Sequence, residues 1–280
     1  MPRTIRVAHS PDSADAFMFY ALAEGKIDTG DLRYVHELSD IESLNQRARQ
    51  AELEVTAVSI HAYAYLWRDY ALLGSGSSMG DGYGPRLVSL RPRPADPRAA
   101  LRGLRVGVPG PLTTAFLALK LYQPNVTTVV IPFDRIEEAV HHGEVDVGLL
   151  IHEGQLTYAD TGLHLWADLG AWWLEETGLP LPLGGNVVRR DLGPAVIDQI
   201  ARDLRASIVY ALEHRASALA HAQQFNRGIG EERTDTFVGM YVNQWTVDYG
   251  PRGRRAVQTL LDRGHAAGLI PDPVVVDFVG

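Results

Sequence analysis

Short β-rich runs alternate with helix-period segments along most of this chain. That alternation admits few architectures, chiefly a mainly parallel sheet with helices packed on its faces. Residues 5–10 read as a strand, and Asp12 or Ser13 can cap a helix that carries Phe17, Tyr20 and Ala21 and stops at Gly25. Residues 34–38 read as a second strand, Asp40 caps a helix through Leu44 and Ala48, and residues 55–59 form a third strand entering an aromatic helix over 61–67. The proline-dense stretch Arg91-Pro92-Arg93-Pro94-Ala95-Asp96-Pro97 has no periodicity and marks a crossing between domains. A second series follows, with strands over 104–108, 128–131 and 145–151 and helices over 113–122 and 136–142. Residues 186–189 read as a returning strand, and helical patterns cover 195–213, 216–225 and 252–267. Those last helices have too little strand around them to build a sheet and are assigned to the first lobe. The expected fold is therefore α/β and two-lobed, with two mainly parallel sheets flanked by helices and a ligand cleft between the lobes. Residues 1–90 and 188–280 make the larger lobe, and residues 91–187 the smaller, inserted one.

Composition narrows the function. A chain of 280 residues that is 46% hydrophobic can bury a sizeable core. Its 34 acidic against 26 basic residues, a formal charge of -8, argue against a nucleic-acid surface, which needs clustered Lys and Arg. The absence of cysteine removes disulfides, thiolate nucleophiles and Cys-based metal sites. No apolar run approaches the roughly 18 residues of a membrane span, so no membrane insertion is expected. The opening Met1-Pro2-Arg3-Thr4-Ile5-Arg6-Val7 runs straight into a strand pattern without the apolar stretch of an export signal, so a cytoplasmic location is expected. A homodimer is compatible with the sequence, which does not fix oligomeric state.

In open α/β sheets, ligands bind beyond the carboxyl ends of the strands. Four polar places lie there: Ser10-Pro11-Asp12, Ser59-Ile60-His61, Gly110-Pro111-Leu112-Thr113-Thr114 and His152-Glu153-Gly154, two from each lobe. Thr113 and Thr114 open a helix, where hydroxyls, backbone N–H groups and the helix dipole suit a carboxylate, although Thr113 equally serves as an N-cap. His152 ends an apolar strand and is a candidate general base, set against a purely structural histidine. The glycine-rich segment Gly74 to Pro85 can approach a ligand closely or simply connect elements; it lacks the lysine of a nucleotide loop. His61 and the adjacent His141-His142 lack partners at metal-ligand spacing, so no metal is expected. Trp172-Trp173 reads as packing.

The chain resembles the 1,4-dihydroxy-6-naphthoate synthase family of the futalosine route to menaquinone. The likeness is carried by Ser10-Pro11 through Phe17 to Leu22, Asp40-Ile41-Glu42-Ser43-Leu44-Asn45, Val58-Ser59, Pro109-Gly110 with Thr113-Thr114-Ala115, and Ile151-His152-Glu153. The longest shared run is Asp168 to Trp173 and on to Thr177-Gly178-Leu179-Pro180-Leu181-Pro182-Leu183-Gly184. The resemblance implies a type 2 periplasmic-binding-protein-like fold used for catalysis. The implied reaction cleaves cyclic dehypoxanthinyl futalosine to 1,4-dihydroxy-6-naphthoate and a three-carbon fragment, with no metal or organic cofactor. The family's general-base histidine falls on His152. Its ligand contacts fall on Ser59, Thr113 and Thr114, with Ser10 and Asn45 at further cleft positions, and the partner is a small-molecule carboxylate. Ser10-Pro11-Asp12-Ser13-Ala14-Asp15 departs from the commoner form, which has Cys-Pro-Asn-Asp after Ser-Pro; His61 and Met79 to Tyr83 also look like variants. Two rivals remain at this stage: chorismate dehydratase of the same pathway, and a non-catalytic solute-binding protein.

Overall fold

Strand β1 (Arg3–His9) starts with exposed polar residues around buried Ile5 and Val7, then buries Ala8 and His9 as it nears the cleft. It lies inside a sheet between β2 (Leu32–Leu38) and β3 (Val55–Ser59), parallel to both. β3 is buried at every position, as a strand covered on both faces must be. The sheet is completed by β4 (Tyr70–Leu73), β5 (Ser78–Gly80), β11 (Leu181–Arg189) and β12 (Phe278–Val279) in the order β12-β4-β11-β3-β1-β2, with β5 paired to β11. A second sheet of five strands holds β6 (Arg86–Ser89), β7 (Arg105–Val108), β8 (Thr127–Val130), β9 (Val147–Leu150) and β10 (His164–Asp168) in the order β10-β6-β9-β7-β8. The computed structural model describes residues 3–225 and 228–280. Met1 and Pro2, which begin the segment read as lacking an export signal, lie outside the described residues.

The two sheets match the expectation, but two details differ. The sheets are mixed rather than mainly parallel: β11 runs antiparallel to β3, β4 and β5, and β6 antiparallel to β9 and β10. The antiparallel strands are the ones that carry the chain between the lobes. The crossings also come earlier than the proline-dense stretch suggests, because β6 already belongs to the second sheet and all of β11 to the first. The chain crosses at residues 81–85 and again after the helix Leu169–Thr177. Arg91 to Asp96 is a surface connection inside the second lobe, with Arg93 Nε donating to the carbonyl of Trp166.

The C-terminal helices pack against the first sheet. Ile200, Leu204 and Ile208 of helix Pro194–Glu213 and Ala218 of helix Arg215–Ala222 share a core with Ile5, Val7, Phe17 and Met18. Helix Gly250–Ala266 packs Val257, Leu260 and Leu261 into the other core, alongside Tyr63 and Trp173. Trp173 is fully buried, as packing requires, and its ring N–H donates to the carbonyl of Pro180 at 3.2 Å. Among the described residues, no helix is long and apolar enough to cross a membrane.

Candidate active site

The carboxyl ends of β1 and β3 face those of β7 and β9 across a cleft of about 760 Å³. Ser10, Ser59, Thr113, Thr114 and His152, named from the sequence, all line it, with Asp12 beside them. Asn45 does not. Its side chain is fully buried in helix Ile41–Ala48 behind Ser59, where Oδ1 accepts from the Ser59 backbone N–H at 2.9 Å and Nδ2 donates to Ser59 Oγ at 3.0 Å. The expectation of a ligand contact is therefore corrected for Asn45: it fixes Ser59, and because it fills an acceptor site on that hydroxyl, the Ser59 proton is left to point elsewhere.

His152 leaves β9 with φ at 52°, in the left-handed region that costs a non-glycine residue energy and persists only where its surroundings hold it. Phe133 meets the ring edge-on at 4.9 Å between centroids. From the opposite lobe, Asp12 brings Oδ2 to 3.3 Å from His152 Nδ1. The other carboxylate oxygen of Asp12 accepts from the Asp15 backbone N–H at 2.9 Å and caps helix Ser13–Met18. Burial opposes a charge on Asp12, yet contact with His152 and the Asp15 N–H outweigh it and hold its carboxyl below the usual range. Asp15 is pushed well above that range by burial and then by the charge on Asp12. The carboxylate that meets the imidazole is thus that of Asp12. The next residue is held too: Glu153 Oε1 accepts from Ser13 Oγ at 3.0 Å and from the Ser13 N–H at 3.3 Å. Asp12 and Ser13, where the sequence departs from the commoner form, both face the His152-Glu153 pair.

At the start of helix Thr114–Tyr122, Thr113 is the cap: its hydroxyl donates to the Gly110 carbonyl at 2.8 Å and accepts from the Phe116 N–H at 3.2 Å. The Thr114 hydroxyl donates to the Leu183 carbonyl at 2.7 Å and accepts from the His61 N–H at 3.1 Å. Both hydroxyls are thus engaged by the protein. What the helix start can offer an anion is its first backbone N–H groups, which have no intrahelical acceptor.

Sequence reasoning missed part of the wall. Asn186 on β11 donates Nδ2 to the Gly76 carbonyl at 2.9 Å, while its Oδ1 has no partner among the described residues. Gly76 and Ser78 line the cleft, so the glycine-rich segment does approach it. Phe237 and Tyr241 come from helix Glu231–Tyr241, which was not read from the sequence. Its signal was the i, i+1, i+4 spacing of Phe237, Val238 and Tyr241. Tyr241 donates its hydroxyl to Gln155 Oε1 at 2.6 Å, another bond between the lobes. Among the described residues, no group of three or more His, Asp and Glu is placed to hold a metal.

A family profile described as menaquinone biosynthesis matches residues 5–266. A 1,4-dihydroxy-6-naphthoate synthase of Thermus thermophilus is 41% identical over 270 residues, covering 96% of this chain and 97% of that protein. A protein of the same name from Streptomyces coelicolor is 38% identical over 278 residues, covering 96% and 95%. A crystal structure of an Archaeoglobus fulgidus protein superposes with a TM-score of 0.91 at 48% identity, covering 95% of this chain and 98% of that one. The alkanesulfonate-binding protein of Xanthomonas axonopodis pv. citri, bound to MOPS, has a TM-score of 0.73 at 14% identity, covering 98% and 96%. At that identity the likeness is one of fold, the periplasmic-binding-protein fold.

Proposed function

The chain belongs to the menaquinone-biosynthesis family, and from that premise we propose that it is a 1,4-dihydroxy-6-naphthoate synthase acting as a carbon–carbon lyase. The substrate of this reading is cyclic dehypoxanthinyl futalosine, and the setting is the cytoplasm, where a biosynthetic enzyme of this kind has its substrates. The naphthoate synthase name of the relatives favours this reaction over the chorismate dehydratase and solute-receptor alternatives.

The observation that carries the mechanism is the imidazole of His152 at the cleft wall, 3.3 Å from the Asp12 carboxylate of the facing lobe. His152 is the general base. It takes the proton of a substrate hydroxyl; the oxygen's electron pair forms a carbonyl as the adjacent C–C bond breaks, and those bond electrons pass into the ring system that becomes the naphthoate. Aromatisation supplies the driving force. The first N–H groups of helix Thr114–Tyr122 hold the substrate carboxylate, with the Ser59 hydroxyl as a second donor. Ser10 borders the same space. Position and exclusion of water between the lobes supply the remainder.

Purified protein incubated with the cyclic precursor should release 1,4-dihydroxy-6-naphthoate, followed by mass spectrometry. His152→Asn should lose about 10²–10⁴-fold in kcat while still binding the product. Near-wild-type turnover in that variant would remove His152 from the mechanism, and binding without turnover in the wild type would favour a receptor.

A further inference from the structure

Asp12 does more than a helix cap requires. A cap needs one carboxylate oxygen, and Oδ1 fills that role by accepting from the Asp15 N–H at 2.9 Å. The second oxygen is directed across the boundary between the lobes to His152 Nδ1 at 3.3 Å. Asp12 is only 4% exposed, and a buried carboxylate is costly unless paired. Its pairing group comes from the other half of the molecule, 140 residues away in sequence. The adjoining bonds from Ser13 to Glu153 tie down the residue next to His152, whose own backbone is left-handed.

We propose that Asp12 is the positioning residue for His152, holding Nδ1 toward the carboxylate so that proton transfer with the trapped ligand falls to Nε2. The proposal rests on the reading of His152 as the base. A carboxylate at Nδ1 selects one tautomer, sets the ring's angle and stabilises the imidazolium formed during the reaction. Among the described residues, the other ionisable groups facing the pair include Asp15 and His9 from the first lobe and Glu153 from the second. Asp134, Glu137 and Arg233 line a recess that His152 also borders. His9 is neutral near pH 7 because burial lowers it to about 4. Asp12 is therefore the anion placed directly on the ring.

Asp12→Asn keeps the cap oxygen and removes the charge. In protein labelled with 13C-histidine, the His152 ring resonance is identified by its loss in His152→Asn and titrated in both backgrounds. The midpoint for His152 should fall by about 1 unit or more in Asp12→Asn, the effect of removing an opposite charge at this range. With the cyclic precursor, kcat should fall roughly 10- to 100-fold, the worth of one hydrogen bond to a charged group, with KM little changed. The acid limb of kcat/KM should move down in pH with the ring. Asp12→Ser, which also caps, should behave in the same way and stands in if the Asn variant does not fold.

An unchanged ring midpoint in both variants would overturn the proposal, and so would a lowered midpoint with undiminished kcat. The ring titration needs no substrate. Lack of turnover by the wild type would therefore refute the assigned reaction, while the titration still decides whether Asp12 holds the imidazole.

Discussion

Histidines 9, 36 and 61 are withdrawn from water, and each stays neutral for the same reason. His9 stacks on Phe19 at 4.5 Å with Nε2 at 3.2 Å from His36 Nδ1, and His61 contacts the Thr113 carbonyl through Nδ1 while its Nε2 has no partner among the described residues. Burial lowers all three to about 4, helped at His9 by His36 and at His36 by His221. Between pH 6.5 and 4 the unfolded chain binds protons that the folded chain does not, so stability present above pH 6.5 is lost as the pH falls through that window. The loss is of order 3 kcal/mol per ring at its full extent. Thermal melts should show Tm dropping from pH 7 to pH 5, with a smaller drop in His61→Phe, because that variant has one ring fewer to protonate on unfolding. An equal drop in the variant would show that His61 titrates alike in both states.

The helix Thr114–Tyr122 shows how an element's start can be mistaken for its chemistry. Thr113→Val removes the cap and should lower stability by about 1 kcal/mol in urea unfolding, while Thr113→Ser should restore it. If the backbone N–H groups hold the carboxylate, product affinity measured by calorimetry should survive in folded Thr113→Val; a large loss there that Thr113→Ser restores would return the role to the hydroxyl. The caps Asp40 and Thr113 were legible because each lies next to the backbone it serves, Asp40 accepting from the Ser43 N–H at 3.0 Å. The direction of the Thr114 hydroxyl was not legible, since Leu183 and His61, which engage it, are remote in sequence. The same distance in sequence hid Asp12 as the partner of His152, although both places had been singled out. The strand and helix alternation gave away the two sheets. It could not reveal that β6 and β11 run antiparallel, because a buried strand reads alike in either direction. The proline run misled for a related reason: proline marks where regular structure stops, and here it stops inside a lobe.

For the molecule as a whole, the first crossing meets the start of helix Leu169–Thr177 backbone to backbone. The Leu169 N–H donates to the Pro85 carbonyl at 2.9 Å, and a Cβ on Gly170 would lie 1.9 Å from the Tyr83 carbonyl oxygen and 2.6 Å from the Gly84 nitrogen. Gly170→Ala should therefore push the helix start away from the first crossing and cost about 1–3 kcal/mol in urea unfolding; an unperturbed midpoint would mean that this junction is loose. On either side of the cleft, separate bonds tie the lobes together: Ser13 to Glu153, Tyr241 to Gln155, the Leu112 N–H to Glu42 at 3.2 Å, and Arg233 to Asp160. Asp12 and His152 stand on opposite banks of the same gap. A reagent kept in two halves works only while the halves are together, so any movement that widened this gap would part the carboxylate from the ring it serves.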